Sequence, residues 1–260
     1  MIPILLLCAV AFAAGVIDAI AGGGGLLTVP SLLLVTGNPR LALGTNKGQS
    51  VFGAFASLLS YHRAGRVDRR RALPSFLAAL AGSILGVRLV LALRPELLRP
   101  VVLGLLIGVA IFFAARGARA GKNRTTSPDA PRPRFRIAED HPVFTAAAIG
   151  LVMGTYDGFF GPGTGAFLIV LFTTIFGDDL VQATANAKVA NFASNLGSVV
   201  SFAIAGMIDF RLALPMAVAQ GLGGIVGARA ALRGGERLIR AGVVVVTIAL
   251  AARIGWQMTH

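Results

Sequence analysis

Long apolar runs separated by short polar breaks cover most of the 260-residue chain. A membrane-spanning helix needs about 20 residues, because each residue advances it by about 1.5 Å. Two of the runs are too short to cross comfortably, and each follows a glycine-rich break. The predicted apolar segments are 2–20, 26–36, 41–62, 72–93, 97–116, 142–160, 165–177, 180–205, 213–232 and 238–256.

Composition agrees with a polytopic membrane protein. The chain is 55% hydrophobic and only 13% charged, whereas soluble domains carry about 25% charged residues. The mean hydropathy is +0.78. The N-terminus lacks the positive region of a cleaved signal peptide, so 2–20 is predicted to be a membrane segment.

The formal net charge of +13 does not favour nucleic acid, because the basic residues occupy short loops, as membrane topology requires. No phosphate-binding G-x-x-x-x-G-K-[ST] motif is present, and Cys8 offers no disulfide partner. The three histidines, His62, His141 and His260, show no metal-ligand spacing. We therefore expect neither an enzyme nor a bound cofactor or metal.

The chain repeats itself on either side of a hydrophilic stretch. The first repeat is 1–116, the basic linker is 117–141 and the second repeat is 142–260. The offset is 139 at Asp18 and Asp157 (157 minus 18), and 141 at Lys47 and Lys188 (188 minus 47). Two extra residues near 177–179 explain the change. Further matched positions are Pro74 with Pro215, Gly82 with Gly223, Gly86 with Gly227, and Arg88 with Arg229.

Loop charge orients the two repeats. Loop 63–71 carries five arginines, whereas its equivalent, 204–212, carries only Arg211. Because positive loops favour the cytoplasm, the repeats are predicted to have opposite orientations, a device of secondary transporters. Two parallel repeats with irregular loop charge are the alternative.

The predicted fold is an all-α polytopic membrane protein. Each of its two inverted-topology repeats has a Gly-broken helical hairpin, which either spans the membrane or re-enters it, plus three transmembrane helices, and both termini lie outside.

The glycine breaks at 22–25 and 161–165 are candidate anion sites. A broken helix leaves N–H groups that must be satisfied inside the membrane, and the positive end of a helix attracts anions. Two such tips, approaching the midplane from opposite faces, would form one pseudo-symmetric site. Tight helix packing or ordinary loops are the alternative reading.

Lys47 and Lys188 occupy equivalent positions near the starts of long apolar runs. Intramembrane charges usually line a pathway, although a lysine near a helix end can also reach the interface. The aspartates before the breaks have four open readings: proton carriers, cation ligands, lysine partners or braces of the hairpin. The predicted substrate-binding residues are Gly23, Gly24, Gly25, Thr45, Asn46, Lys47, Gln49, Gly161, Gly163, Thr164, Gly165, Asn186, Lys188, Asn191 and Asn195, with Asp18 and Asp157 as possible ion-coupling residues.

Four motifs resemble the sulfite exporter TauE/SafE family of bacterial membrane permeases: GGGGLLTVP at 22–30, ALGTNK at 42–47, YDGFFGPGTG at 156–165 and ANAKVANFASN at 185–195. The resemblance covers nearly the whole chain except the linker. It implies a multi-pass permease of the bacterial cytoplasmic membrane.

The predicted function is secondary transport of a small anion by alternating access, and the resemblance implies sulfite or an organosulfonate as that anion. A passive anion channel and the membrane anchor of a complex are the alternatives. The expected partners are the anion and the lipid bilayer. Whether the chain also forms a homodimer is left open by the sequence.

Overall fold

The computed structural model describes residues 4–94, 96–98, 100–105, 107–109, 138 and 140–259, with side chains up to residue 239. Within these residues every regular element is a helix, which confirms the all-α prediction. The predicted linker lies outside the described residues except for 138, 140 and 141. The segment 97–116 is described only in part.

The structure gives both ends of eight helices, four on each side of the predicted linker. In the first repeat they are α1 (Ile4–Ala21), α2 (Gly25–Thr36), α3 (Pro39–Arg63) and α4 (Arg69–Ala92). In the second they are α5 (Pro142–Phe159), α6 (Thr164–Leu171, continued by a π turn at Phe172–Phe176), α7 (Leu180–Ile204) and α8 (Phe210–Thr259). Helix α8 is interrupted at Gly235, where φ is 57° and ψ is −152°, so it contains the two predicted segments 213–232 and 238–256.

The two inserted residues lie in two places. Helix α2 has 12 residues, whereas α6 and its π turn together have 13 (8 plus 5). A π turn accommodates one extra residue in a helix. The connection to the next helix has two residues, 37 and 38, in the first repeat and three, 177–179, in the second. The sequence predicts both insertions near 177–179. In the structure one lies in that connection, and the other lies in the preceding helix, α6 with its π turn.

Equivalent loops lie at opposite ends of the bundle. The backbone N–H of Asp209, before α8, donates to Thr45 Oγ1 near the start of α3 (3.0 Å). The N–H of Asp68, before α4, donates to Asn186 Oδ1 near the start of α7 (2.9 Å). Since loop 64–68 follows the far end of α3, helices α3 and α7 run antiparallel. We call the two ends of the bundle the Asp209 end and the Asp68 end.

Each glycine-broken hairpin returns to the end from which it started. Helix α1 packs parallel to α8, because Gly223 meets Phe12 and Gly227 meets Val16, so α1 begins at the Asp209 end. Helix α2 finishes there too, just before α3. The corresponding contacts place α5 parallel to α4, and both ends of the α5–α6 hairpin at the Asp68 end. The hairpins thus enter the bundle from opposite ends.

Small residues let the two repeats approach closely. A Cβ atom on Gly86 would lie 2.2 Å from the carbonyl oxygen of Thr155, and one on Gly227 would lie 2.4 Å from that of Val16. The glycines of α5 pack in the same way on α4, with Gly158 against Ser83. Glycine and serine at such crossings are typical of helices packed in lipid.

The outer surface is apolar. Side chains such as Leu5 (78% exposed), Leu34 (76%), Phe144 (71%) and Ile204 (84%) point away from the bundle, an arrangement that fits a lipid environment. Among the described residues three helical stretches are long and apolar enough to cross a membrane: Ile4–Ala21, Arg69–Ala92 and Phe210–Ile239. Helices α3 and α7 have 25 residues each, but polar side chains line one face of each.

We expect Gly86→Ala to lower thermal stability in detergent and Gly221→Ala to leave it unchanged or raise it. The added methyl at 86 meets the α5 backbone, and overpacking costs about 1–3 kcal/mol. Position 221 is also helical, but a Cβ there meets nothing within 4 Å, and alanine favours a helix by about 0.5–1 kcal/mol. Equal melting temperatures for the two variants would contradict this packing.

Candidate functional site

Two buried ion pairs connect the repeats at the centre of the bundle. Lys47 Nζ of the first repeat lies 2.8 Å from Asp157 Oδ2 of the second. Lys188 Nζ of the second lies 2.7 Å from Asp18 Oδ2 of the first. Each aspartate thus pairs with the lysine of the other repeat, as one of the four readings has it, and the other readings stay predictions.

A small polar cavity lies between these pairs. About 20 Å³ of it is open to the centres of water molecules, which is room for one or two waters. Both aspartates and one of the two lysines border it. The lining residues are Asp18, Gly22, Gly25, Asn46, Lys47, Ser50, Asp157, Gly161, Gly163, Gly165, Asn191, Asn195 and Gln220.

The glycine breaks place the helix tips against each other at this cavity. Gly22 has a φ of 74° and Gly161 a φ of 93°, in the left-handed region that favours glycine. The N–H of Ala166, in the first turn of α6, donates to Gly22 O (3.2 Å). The Tyr156 hydroxyl donates to Pro162 O (2.8 Å) and so holds the second break in place. The two breaks therefore satisfy part of each other's backbone, as a break inside a membrane requires.

The two lysines are not equivalent in their surroundings. Lys47 lines the cavity, whereas Lys188 is fully buried behind Asp18 and also donates to the Asp18 carbonyl oxygen. Asp157 receives a second hydrogen bond from the Ser194 hydroxyl. The side chain of Asp157 is 2% exposed and that of Asp18 is 15% exposed. Lys47 is thus the ammonium group that a bound molecule can reach.

Asn46 presents a donor to the cavity. Its Oδ1 lies 2.5 Å from Thr28 Oγ1 and accepts from Gln49 Nε2 at 3.2 Å. With the amide assigned from this network, Nδ2 is the atom free to meet a ligand. On α7 Asn195 Nδ2 donates to the Asn191 carbonyl oxygen (2.7 Å), as the 3- and 4-residue spacing of that helix face allows.

Ten of the seventeen predicted site residues line the cavity and seven do not. Thr45 and Asn186 instead receive the loop hydrogen bonds from Asp209 and Asp68. Gln49 does not line the cavity but donates a hydrogen bond from its Nε2 to Asn46 Oδ1. Those that line the cavity are Asp18, Gly25, Asn46, Lys47, Asp157, Gly161, Gly163, Gly165, Asn191 and Asn195; those that do not are Gly23, Gly24, Thr45, Gln49, Thr164, Asn186 and Lys188.

Sequence reasoning missed Gln220 of α8 at the cavity wall. Its side chain is 1% exposed, and its Oε1 has no hydrogen-bond partner among the described residues. The available signal was an amide inside the uncharged stretch 212–228 of this helix, because polar groups inside a membrane are costly and usually functional. Among the residues that the structure describes, no group of three or more His, Cys, Asp or Glu side chains could hold a metal ion.

A clamp of charged groups ties the repeats together at the Asp68 end. Arg71 lies 2.6 Å from Asp68 and 2.9 Å from Asp178, and its guanidinium stacks 4.3 Å from the centre of the Phe176 ring. Asn186 Nδ2 donates to Asp178 (2.8 Å). Partial burial raises the pKa of Asp68, but Arg71 and two backbone N–H groups outweigh it and hold that pKa below its usual value. The contribution of Asp68 to stability is therefore lost as the pH falls through its folded-state pKa.

Comparison with known proteins gives consistent results. The family model described as "Sulfite exporter TauE/SafE" matches residues 7–254. A protein named "Probable membrane transporter protein ORF9" from Sinorhizobium sp is 37% identical over 96% of this chain and 91% of its own length. "Probable membrane transporter protein YfcA" of Escherichia coli K12 is 35% identical over 97% of this chain and 90% of its own. A "Probable membrane transporter protein" of Haemophilus influenzae is 33% identical over 97% and 95%. No solved structure matches.

We expect Arg71→Ala to destabilise the protein strongly and Arg70→Ala to have little effect. Removing Arg71 leaves Asp178 buried without its cation, and breaking a buried pair in this way costs about 3–5 kcal/mol. Arg70 is exposed at the neighbouring position, so its removal is a matched charge control. Thermal unfolding in detergent measures both, and a small loss for Arg71→Ala would show that the clamp is dispensable.

Proposed function

Because the chain belongs to the TauE/SafE sulfite exporter family, we propose that it is a secondary transporter of a small anion. Sulfite or an organosulfonate is the proposed substrate, and the cytoplasmic membrane of a bacterium is the proposed location. The substrate crosses unchanged, by alternating access around the central cavity. The observation that carries this proposal is a polar cavity at the meeting point of two broken helices, inside a bundle with an apolar outer surface.

The cavity offers the groups that an oxyanion needs. Lys47 supplies a positive charge, and Asn46 supplies an amide donor. The first turns of α2 and α6 reach the cavity through Gly25 and Gly165, and the positive ends of helices attract anions. Hydrogen bonds to charged groups are stronger than those between neutral groups, so a charged oxygen is the preferred partner of this set.

The two glycine-broken hairpins support alternating access between the two ends. They enter from opposite ends and meet at the cavity, so opening one end requires movement of only one hairpin and its neighbours. The Asp68 end carries the arginine-rich loop 63–71, whereas the equivalent loop at the other end carries only Arg211. By the positive-inside rule we place the Asp68 end in the cytoplasm. Because equivalent loops lie at opposite ends of the bundle, we propose that the two repeats have inverted topology.

The first test is uptake of sulfite, sulfate and methanesulfonate into proteoliposomes that contain the purified protein. We expect saturable uptake of at least one anion, and a loss of about tenfold or more in Lys47→Ala, because a hydrogen bond to a charged group contributes about 1.5–3 kcal/mol. Arg88→Ala, which removes an exposed charge on α4, is the control. Unsaturable uptake would favour a channel, and no uptake of any anion would favour a membrane anchor.

A second prediction tests the glycine tip at the cavity. Gly161→Ala should reduce uptake, because the new methyl would lie 3.0 Å from Lys47 Nζ and displace it. Gly206 also has a positive φ, 66°, but a Cβ there meets nothing within 4 Å, so Gly206→Ala controls for backbone strain. Equal uptake by the two variants would show that the glycine break at Gly161 is not part of the transport pathway.

A further inference from the structure

The ion pair of Lys47 and Asp157 occupies the place that an anion would take. The remaining cavity has room for one or two waters, whereas sulfite has four non-hydrogen atoms. Lys47 borders the cavity, and its Nζ is held 2.8 Å from Asp157. An anion that binds Lys47 must therefore separate it, wholly or in part, from this carboxylate.

Charge balance makes that separation costly unless a proton is taken up. The two lysines and two aspartates of the site sum to zero, so an added monoanion leaves one uncompensated negative charge. Without Lys47, Asp157 keeps the neutral Ser194 hydroxyl as its hydrogen-bond donor. A carboxylate that is 2% exposed is strongly destabilised when it is left without a cation, and binding one proton removes the charge.

Resting on the proposed function, we propose that Asp157 takes up a proton from solvent when the anion binds Lys47, so that one proton and one anion cross the membrane together. No covalent bond of the substrate changes. Lys47 remains an ammonium group throughout and exchanges Asp157 for the anion. Release on the far side reverses both steps: the anion leaves, Asp157 gives up its proton, and the ion pair forms again.

Asp157 is better placed for this role than Asp18. The partner of Asp18, Lys188, does not border the cavity and is also held by the Asp18 carbonyl oxygen. Since an anion in the cavity cannot reach Lys188 without a larger rearrangement, the second pair stays formed. The pair of Lys188 and Asp18 therefore stays in place while Lys47 exchanges Asp157 for the anion.

The described charged groups near Asp157 are few. Helix α3 contributes Lys47, and across the cavity α1 contributes Asp18 with its partner Lys188 from α7. On its own helix the neighbouring Tyr156 hydroxyl is bound to Pro162 O. The face of α4 that packs on α5 presents small residues, Ser75, Ala79 and Ser83. Lys47 is thus the one described cation in contact with this carboxylate, and its movement controls the charge of Asp157.

The experiment measures uptake of methanesulfonate and sulfite by the full-length protein in proteoliposomes from about pH 5 to about pH 8, with the membrane voltage clamped by potassium and valinomycin. Methanesulfonate keeps its charge throughout, so an entrapped pH dye reports protons moved by the protein. We expect one proton to enter the lumen with each methanesulfonate. In the pH range where the complex carries the extra proton and the empty site does not, the apparent affinity for methanesulfonate should fall about tenfold for each unit by which the pH rises.

Asp157→Asn removes the proton site and leaves Lys47 free. We expect it to bind and carry the anion without lumen acidification. Its apparent affinity for the anion should depend on pH less steeply than that of the wild type, by the uptake of one proton. Sulfite itself titrates in this range, so for sulfite the difference in slope between wild type and variant is the readout. Asp209→Asn, at a helix start outside the cavity where the side chain accepts from Arg211 N (2.9 Å), is the matched control and should keep the wild-type slope.

Wild-type uptake that moves no protons and shows the same pH slope as Asp157→Asn would overturn the inference and leave the proposed function intact. No uptake of any anion by the wild type would overturn both. Should Asp157→Asn fail to fold, Asp157→Glu is the second variant, because it keeps a carboxyl group and should retain proton entry. A wild type that carries anions without proton entry is decisive against the inference even without either variant.

Discussion

A buried lysine in a membrane protein must find a partner, and here each lysine finds it in the other repeat. Lys47 pairs with Asp157 and Lys188 with Asp18. Breaking such a pair leaves a buried charge, which costs more than the pair contributes. In this structure neither repeat satisfies these charges by itself, and the close packing of α1 on α8 and of α4 on α5 also joins the two repeats. The cavity lies where it does because the two pairs are held side by side.

The backbone imposes a second constraint at the same place. A helix broken inside a membrane must satisfy its exposed N–H and C=O groups, and the breaks at Gly22 and Gly161 do so partly through each other. A Cβ on Gly22 would lie 2.2 Å from the Gly165 carbonyl carbon, so glycine is required for the tips to touch. Charge pairing and backbone contact thus both hold the hairpins at the centre, although they enter from opposite ends.

The sequence predicted the helical segments and ten of the residues that line the cavity, because these depend on local pattern and on matched positions. It did not predict which lysine meets which aspartate, since pairing depends on how the repeats interleave. Thr45 and Asn186 share the polar character of the site residues, but they lie near the starts of α3 and α7 and hold loops. Spacing along a helix gives the face of a residue and not its depth in the bundle. Gln220 was missed because its match in the first repeat is Ala79 (220 minus 141), so the repeat drew no attention to it.

The two ion pairs have different surroundings, although they occupy matched positions in the two repeats. Ser194 donates to Asp157, whereas the equivalent position in the first repeat (194 minus 141) is Gly53, which packs against Gln220. Asp157 therefore keeps a hydrogen bond when its lysine moves, and Asp18 has no matching hydroxyl from that position. Lys188 is held by the Asp18 backbone as well as its side chain, while Lys47 borders the cavity. A symmetric scaffold with unequal pairs can keep one pair fixed and let the other exchange, which a symmetric site could not do without disturbing both.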